Sequence, residues 1–242
     1  MKGAKMEKQT YLSTEFEPIP TEWKKSKFEY KDVEDYRDVF NLSLVQDIQT
    51  VGKYDLPALK PTNQVPKKVI PFNYALSCER PQDYFVHFYI DDYQFERIWH
   101  KPKFYALLLQ RFAGIIGPDF STYTNMPKAQ QIFQVYKSRL ISAYIQSLGQ
   151  AVIPNINWST FDSLNWTMDG VPRHSTIALS TNGCLNSKVK DNFVKCYKKA
   201  IEILEPTNIV IVGEIPKEIQ KDDRIINFDS YLTILQKKKR SV

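Results

Sequence analysis

The sequence predicts an α/β protein: a mostly parallel sheet of βα units forming an irregular or incomplete (βα) barrel, with an open doubly wound sheet as the alternative. Two observations carry this. Short apolar runs recur along the chain, and each ends directly in Asp, Asn, Ser or Thr: 84–90 into Asp91 and Asp92, 113–117 into Asp119, 151–154 into Asn155, and 176–179 into Ser180, Thr181 and Asn182. Between these runs lie segments with helical periodicity, so buried strands alternate with helices and share a direction. Polar tips on nearly every strand, and not at one switch point alone, favour the barrel-like form.

Residues 1–65 precede this rhythm. They are rich in charge and aromatics (Phe16, Trp23, Phe28, Tyr30, Tyr36, Phe40), carry scattered prolines and hold too few aliphatic residues for a core of their own. They read as an arm lying across the main domain with its aromatics as anchors. Within it, 33–45 has the spacing of a short helix, with Val33, Tyr36, Phe40 and Leu44 on one face.

The α/β domain is expected over 66–232. Its first strand is 69–72 and its second 84–90. Asp92 then reads as an N-cap, Phe95, Ile98 and Trp99 begin a helical face, and Pro102 opens a further helix expected to bury Phe104, Leu107 and Leu108. The third strand is 113–117. A long helix starts at Pro127, keeps Ala129, Ile132, Phe133, Tyr136, Leu140, Ala143, Tyr144 and Leu148 at steps of three and four, and closes at Gly149. Its polar face is read as Lys128, Gln131, Lys137, Arg139 and Gln146. Strands four to seven are 151–156, 176–180, 209–213 and 224–228, with an irregular stretch at 159–170 and a helix over 187–204. Residues 233–242 form a basic tail containing Lys237, Lys238, Lys239 and Arg240.

The totals exclude several classes. At 242 residues, 43% hydrophobic and 25% charged, the composition is that of an ordinary globular protein. No apolar stretch approaches the roughly 18 residues that span a bilayer. The charged N-terminus has no apolar run behind it, so a cytoplasmic location is expected and no membrane partner. Three cysteines (Cys78, Cys184, Cys196) without a CxxC spacing indicate neither a disulfide framework nor a zinc knuckle. No GxxxxGK[ST] or GxGxxG occurs, which argues against ATP or NAD held by a glycine loop. Histidines 87, 100 and 174 are dispersed, with no HxH or HExxH pair, and His87 sits mid-strand as a core residue. The net charge of +6 suits either a solvated surface or a phosphate backbone.

A parallel sheet gathers its strand tips at one edge, and there stand Asn73, Asp91, Asp92, Asp119, Ser121, Asn155, Asn157, Trp158, Ser180, Thr181, Asn182, Glu214 and Asp229. Convergent carboxylates hold a hard divalent cation such as magnesium, or divide acid and base roles; amides and hydroxyls bind a base, a sugar or a phosphate. Any one of them also serves simply as a cap or turn residue. Asp91 and Asp119 are the catalytic or metal-ligating candidates, and Asn155, Trp158, Ser180 and Asn182 the ligand-binding ones. Trp158, Trp166 and Tyr123 are candidates to stack on bases. Cys184 at a strand tip has no evident histidine partner and reads as a small buried hydrophobe rather than a nucleophile.

The stretches FYIDDYQFERIW at 88–99, GPDFS at 117–121, VIPNINW at 152–158 and STNGC at 180–184 together resemble DUF4417, a family of bacterial and phage proteins of unknown function. The resemblance covers about residues 65–230. It implies a phage or mobile-element context and brings no catalytic residues with it. Three functions stay open: a phage or mobile-element-type protein acting in nucleic-acid metabolism through the strand-tip pocket, a non-enzymatic nucleic-acid-binding protein using the basic surface, and a factor that uses the aromatic arm to bind a host or phage protein and inhibit or recruit a host system.

Overall fold

The computed structural model describes residues 38–186, 189–231 and 233–234. Aromatic residues Phe16, Trp23, Phe28, Tyr30 and Tyr36 of the expected arm, and Lys237 to Arg240 of the tail, lie outside the described residues.

All seven expected strands are present, and all are parallel. They are β3 (Val69–Pro71), β4 (Phe85–His87), β5 (Gly114–Ile116), β6 (Val152–Ile153), β7 (Thr176–Ser180), β8 (Asn208–Val212) and β9 (Ile225–Phe228), preceded by a two-residue antiparallel hairpin, β1 (Thr50–Val51) and β2 (Leu56–Pro57). The order is β3-β4-β5-β6 and β7-β8-β9. A parallel bridge between Asn155 and Ala178 joins the two blocks, with Ile156 N–H donating to the Ala178 carbonyl and Ala178 N–H to that of Pro154. Strands therefore follow one another in chain order. A doubly wound sheet reverses its order at a switch point; this one does not. Among the described residues no pairing closes β9 onto β3, so the barrel is an open one.

Alternation along the strands divides the core. Val86, Ile115 and Val152 pack with the helices between β4 and β6, while Ile177, Leu179, Ile209 and Ile211 pack with the helix between β7 and β8. Their neighbours Phe85, Ile116, Ile153, Ala178, Val210 and Val212 face the other way, into a cluster built almost wholly from strand residues, with Val69 of β3 and Phe228 of β9 at its margin. Period-two side chains on strands apolar on both faces produce such a division, with helices outside and a strand-only interior.

The helices are α1 (Asp92–Phe95), α2 (Arg97–His100), α3 (Pro102–Leu109), α4 (Lys128–Ser147), α5 (Leu164–Thr167) and α6 (Lys190–Leu204). Two faces differ from expectation. In α3 the buried residues are Pro102, Tyr105, Ala106 and Leu109, leaving Phe104 and Leu107 exposed. In α4 the periodic apolar stripe is not the face that is most buried. Phe133 and Leu148 are exposed, while Gln131, Gln134, Lys137, Ser138, Arg139 and Ser142 are buried with Val135, Leu140, Ile141 and Ile145. The helix is covered on a further side by the β1–β2 segment, where Leu56 packs with Val135 and Trp166. Gln146 exchanges hydrogen bonds with both backbone groups of Lys60, and Thr62 N–H donates to Ser175 Oγ. Of the short helix expected over 33–45, the described part is one 3₁₀ turn, Leu42–Leu44, with Phe40 exposed.

Candidate functional site

At the C-terminal ends of the strands lies a cavity of about 650 Å³, within the range that holds a small organic ligand. Loops after β3, β4, β5, β6, β7 and β9 all contribute to its wall. Of the residues expected here, Asn73, Asp91, Asp119, Ser121, Asn157, Trp158, Ser180 and Asn182 line it. Asn155, Asp92 and Thr181 lie outside the lining, and Glu214 and Asp229 are exposed away from it. Gly213, at φ 124°, turns the chain off the line of β8 just before Glu214.

Asp119 is the strongly perturbed carboxyl of the site. One oxygen, Oδ1, accepts from Asn155 Nδ2 at 2.9 Å and Asn157 Nδ2 at 3.3 Å. No described residue donates to Oδ2. Burial raises its carboxyl to about 6, helped by the charge of Asp92 and opposed by the two amides. A carboxyl poised there exchanges a proton near neutral pH, which is what general acid or base work requires.

Asn155 supports Asp119 from beneath. It is buried, accepts the Tyr89 hydroxyl at 3.0 Å and donates to Asp119 and the Pro118 carbonyl. Burial, then the charge of Asp119, pushes the Tyr89 hydroxyl well above its ordinary value, so it stays a neutral donor. Beside it His87 Nδ1 accepts Tyr89 N–H at 3.2 Å, and burial lowers that imidazole to about 3. His87 is therefore neutral and structural, as its mid-strand place suggests.

The two neighbouring aspartates have separate tasks. Asp91 stands at the N-cap position of α1 but makes no side-chain cap; it faces the cavity and accepts Gln94 Nε2 at 3.3 Å. Asp92, expected as the cap, is the first residue of α1. Its carboxylate instead grips the loop after β5, accepting Ser121 Oγ at 2.8 Å and Ser121 N–H at 3.1 Å.

The buried polar face of α4 holds these loops. Ser138 Oγ donates to the Pro118 carbonyl, and Gln134 Nε2 reaches Asp92 at 3.4 Å. Gln131 donates to the carbonyls of Tyr123 and Met126 and accepts Ser159 Oγ. Arg139, almost fully buried, donates to the carbonyls of Asn155 and Thr167, both at 2.8 Å. Irregular backbone leaving a strand carries polar groups without ladder partners, and α4 supplies the missing ones.

Trp158 forms an aromatic wall with Phe193, their ring centres 5.6 Å apart. Trp166 does not join them; it is buried under Leu56 and Val135. The sequence reading missed Tyr89, Gln94 and Tyr231. Tyr231 lines the cavity just beyond β9 and its hydroxyl bonds to that of Tyr74 just beyond β3, spanning the open side of the barrel. Cys184 also lines the cavity, and burial followed by the charge of Asp119 raises its thiol to about 11, which suppresses the thiolate. Among the described residues no three His, Cys, Asp or Glu side chains converge as a metal cluster, and no helix is long and apolar enough to cross a membrane.

Comparison with known proteins follows the same residues. Positions 48–229 match the family described as Domain of unknown function (DUF4417), a match that begins ahead of the residue 65 expected from the motifs. The chain is 35% identical over 185 residues to the "Gene 1 protein" of Mycobacterium phage L5, covering 74% of this chain and 78% of that one. It is 35% identical over 158 residues to the "Gene 1 protein" of Mycobacterium phage D29, covering 63% of this chain and 56% of that one. No solved structure matches.

Proposed function

This chain belongs to the DUF4417 family, with phage proteins among its relatives, and from that premise we propose that its strand-tip cavity is a small-molecule site in nucleic-acid metabolism, with Asp119 as the acid–base group. The observation that carries the reading is the state of Asp119. One oxygen is fixed by two amides, the other has no donor among the described residues, and burial holds the carboxyl at about 6. A residue serving only as a turn has no need of that arrangement.

Asp91 is the second carboxylate of the site; Asn155 orients Asp119, and Trp158 offers a ring face to a planar ligand. Ser180 and Asn182 form the opposite lip, where Asn182 N–H donates to Ser180 Oγ. The ligand class that joins a cavity of this size and aromatic wall to nucleic-acid metabolism is the nucleoside or its base. The cavity as described offers a phosphate no counter-charge, because no Lys, Arg or His among the described residues lines it. With a divalent ion, Asp91 and Asp119 would be its protein ligands and water would fill the remaining positions, as magnesium sites permit.

The test is ligand-observed NMR with the purified full chain against a panel of nucleosides, bases and their 5′-phosphates. The expected result is binding of unphosphorylated members that disappears in Trp158→Ala and Asp119→Ala while the chain stays folded. Binding that survives both substitutions, or that needs the phosphate, refutes the assignment.

A further inference from the structure

On the side of the cavity formed by Asp91, Asp119, Asn157 and Asn73, each of these residues keeps an oxygen that no described donor engages. Both amide hydrogens of Asn157 are engaged, one with Asp119 Oδ1 and one with the Phe120 carbonyl at 3.1 Å, leaving its Oδ1 to accept. Ser180 Oγ donates to the Val212 carbonyl at 3.1 Å, and Ser121 Oγ donates to Asp92. A chain of amides starts at Asp91. A carboxylate only accepts, so Gln94 Nε2 is the donor to it, Gln94 Oε1 is then the acceptor, and Asn73 Nδ2 donates to that at 3.0 Å. The polarity of the chain is thereby fixed, and it ends on Asn73 Oδ1, which is buried with no partner. Asp119 Oδ2 and the second oxygen of Asp91 are likewise without a described donor.

The charge inventory agrees. The chain is rich in Lys and Arg, yet among the described residues none of them lines the cavity. Two described cations on α4 are committed elsewhere. Lys137 lies over the Phe120 ring at 4.0 Å with Glu96 at 3.7 Å, and Arg139 binds carbonyls beneath the floor. A run of free acceptors at Asp119, Asp91, Asn157 and Asn73, two of them carboxylates, beside an aromatic wall selects a ligand rich in N–H groups on that side.

Resting on the small-molecule reading above, we propose that the ligand turns an amino-bearing amidine edge toward Asp119, Asp91, Asn157 and Asn73, as cytosine and adenine do, and not the carbonyl edge of uracil or hypoxanthine. Each amidine edge carries an exocyclic NH₂ that donates to the free oxygens. Asp119 completes the match, since a neutral carboxyl donates to the unprotonated ring nitrogen and a carboxylate accepts from a protonated one. A carbonyl in place of the NH₂ sets oxygen against oxygen at these acceptors and leaves them without the donor that the amino group supplies.

Cytidine with uridine, and adenosine with inosine, are two pairs of nearly equal shape that exchange this edge. Calorimetric titration of the full chain at pH 6.5 is expected to give at least about tenfold tighter binding for the amino member of each pair, since a buried acceptor left unpaired is costly. In Asp119→Asn, whose fold is checked by its melting curve, the preference should shrink, with cytidine weakened and uridine unchanged or improved. Equal or reversed affinities within both pairs overturn the edge assignment and leave the small-molecule site standing. A uniform loss of all four ligands in Asp119→Asn overturns it as well. Absence of binding by all four to the wild-type chain overturns both readings.

Discussion

Replacing Asp119 by Asn should make the protein more stable at pH 8 and change little at pH 4. The folded carboxyl lies at about 6 against an ordinary 3.8. A raised value means the folded state binds the proton more tightly than the unfolded one, so stability falls as pH rises between 3.8 and 6, and the whole penalty is in force above that window. About two pH units at 1.4 kcal/mol each gives roughly 3 kcal/mol as an upper figure. Partial access of the carboxylate to the cavity reduces this, so about 1–3 kcal/mol is the expected gain. Asparagine keeps an oxygen for Asn155 and Asn157 to donate to while removing the charge. His87 acts in the opposite sense. Burial lowers it from 6.5 to about 3, so its contribution is lost as pH falls through that range. In the wild type the two slopes offset each other between pH 4 and 6; in Asp119→Asn the His87 slope stands alone. Urea denaturation of both proteins at half-unit pH steps measures this directly. A variant less stable than wild type at pH 8, or a gap of equal size at pH 4 and pH 8, would show that Asp119 is not a strained, desolvated carboxyl and would remove the physical basis for its acid–base role.

Two further outcomes follow from the same geometry. Arg139→Lys should lose at least one of the two carbonyl bonds beneath the cavity, lowering stability by about 1–3 kcal/mol and weakening ligand affinity through Asn155; a neutral melting curve would place those carbonyls in reach of other donors. Cys184, with its thiol near 11 against an ordinary 9.0, should react with a disulfide reagent about tenfold more slowly at pH 7.5 than an ordinary exposed thiol, its scarcer thiolate being partly offset by greater basicity, and mass mapping of the modified chain would reveal any faster attack.

The strands were legible because burial on both faces forces continuous apolar runs, and their polar ends marked the cavity edge. Asp91, Asp119, Asn157, Trp158, Ser180 and Asn182 reach that edge for this reason alone. Asn155 belongs to the same series of tips but sits one layer lower, since its neighbours Pro154 and Ile156 share a bridge to Ala178 that draws the backbone inward. In α4, Lys137 and Arg139 read as solvent-facing charges, yet both are buried, and the polar side of the helix faces inward. Its Gln131, Gln134, Ser138 and Ser142 fall at steps of three, four and four, a stripe of uncharged polar residues in a chain otherwise rich in lysine. A solvated face would carry charges there, so the missing charge was itself the signal. The partnership of Tyr74 with Tyr231 was not legible, because 157 positions separate them and neither lies in a periodic segment.

That tyrosine pair also bears on the order in which the site comes into being. With strands laid down in chain order, each new strand finds its neighbour already made, and growth from the ribosome can proceed as successive additions to one edge. The cavity floor and both carboxylates are in place once β7 has joined, since Asn155 beneath Asp119 is bridged to Ala178. Its last wall waits for Tyr231, beyond β9, to reach back to Tyr74. A nascent chain stalled before that residue would carry the acidic groups in an open trough, and only the finished fold would enclose them.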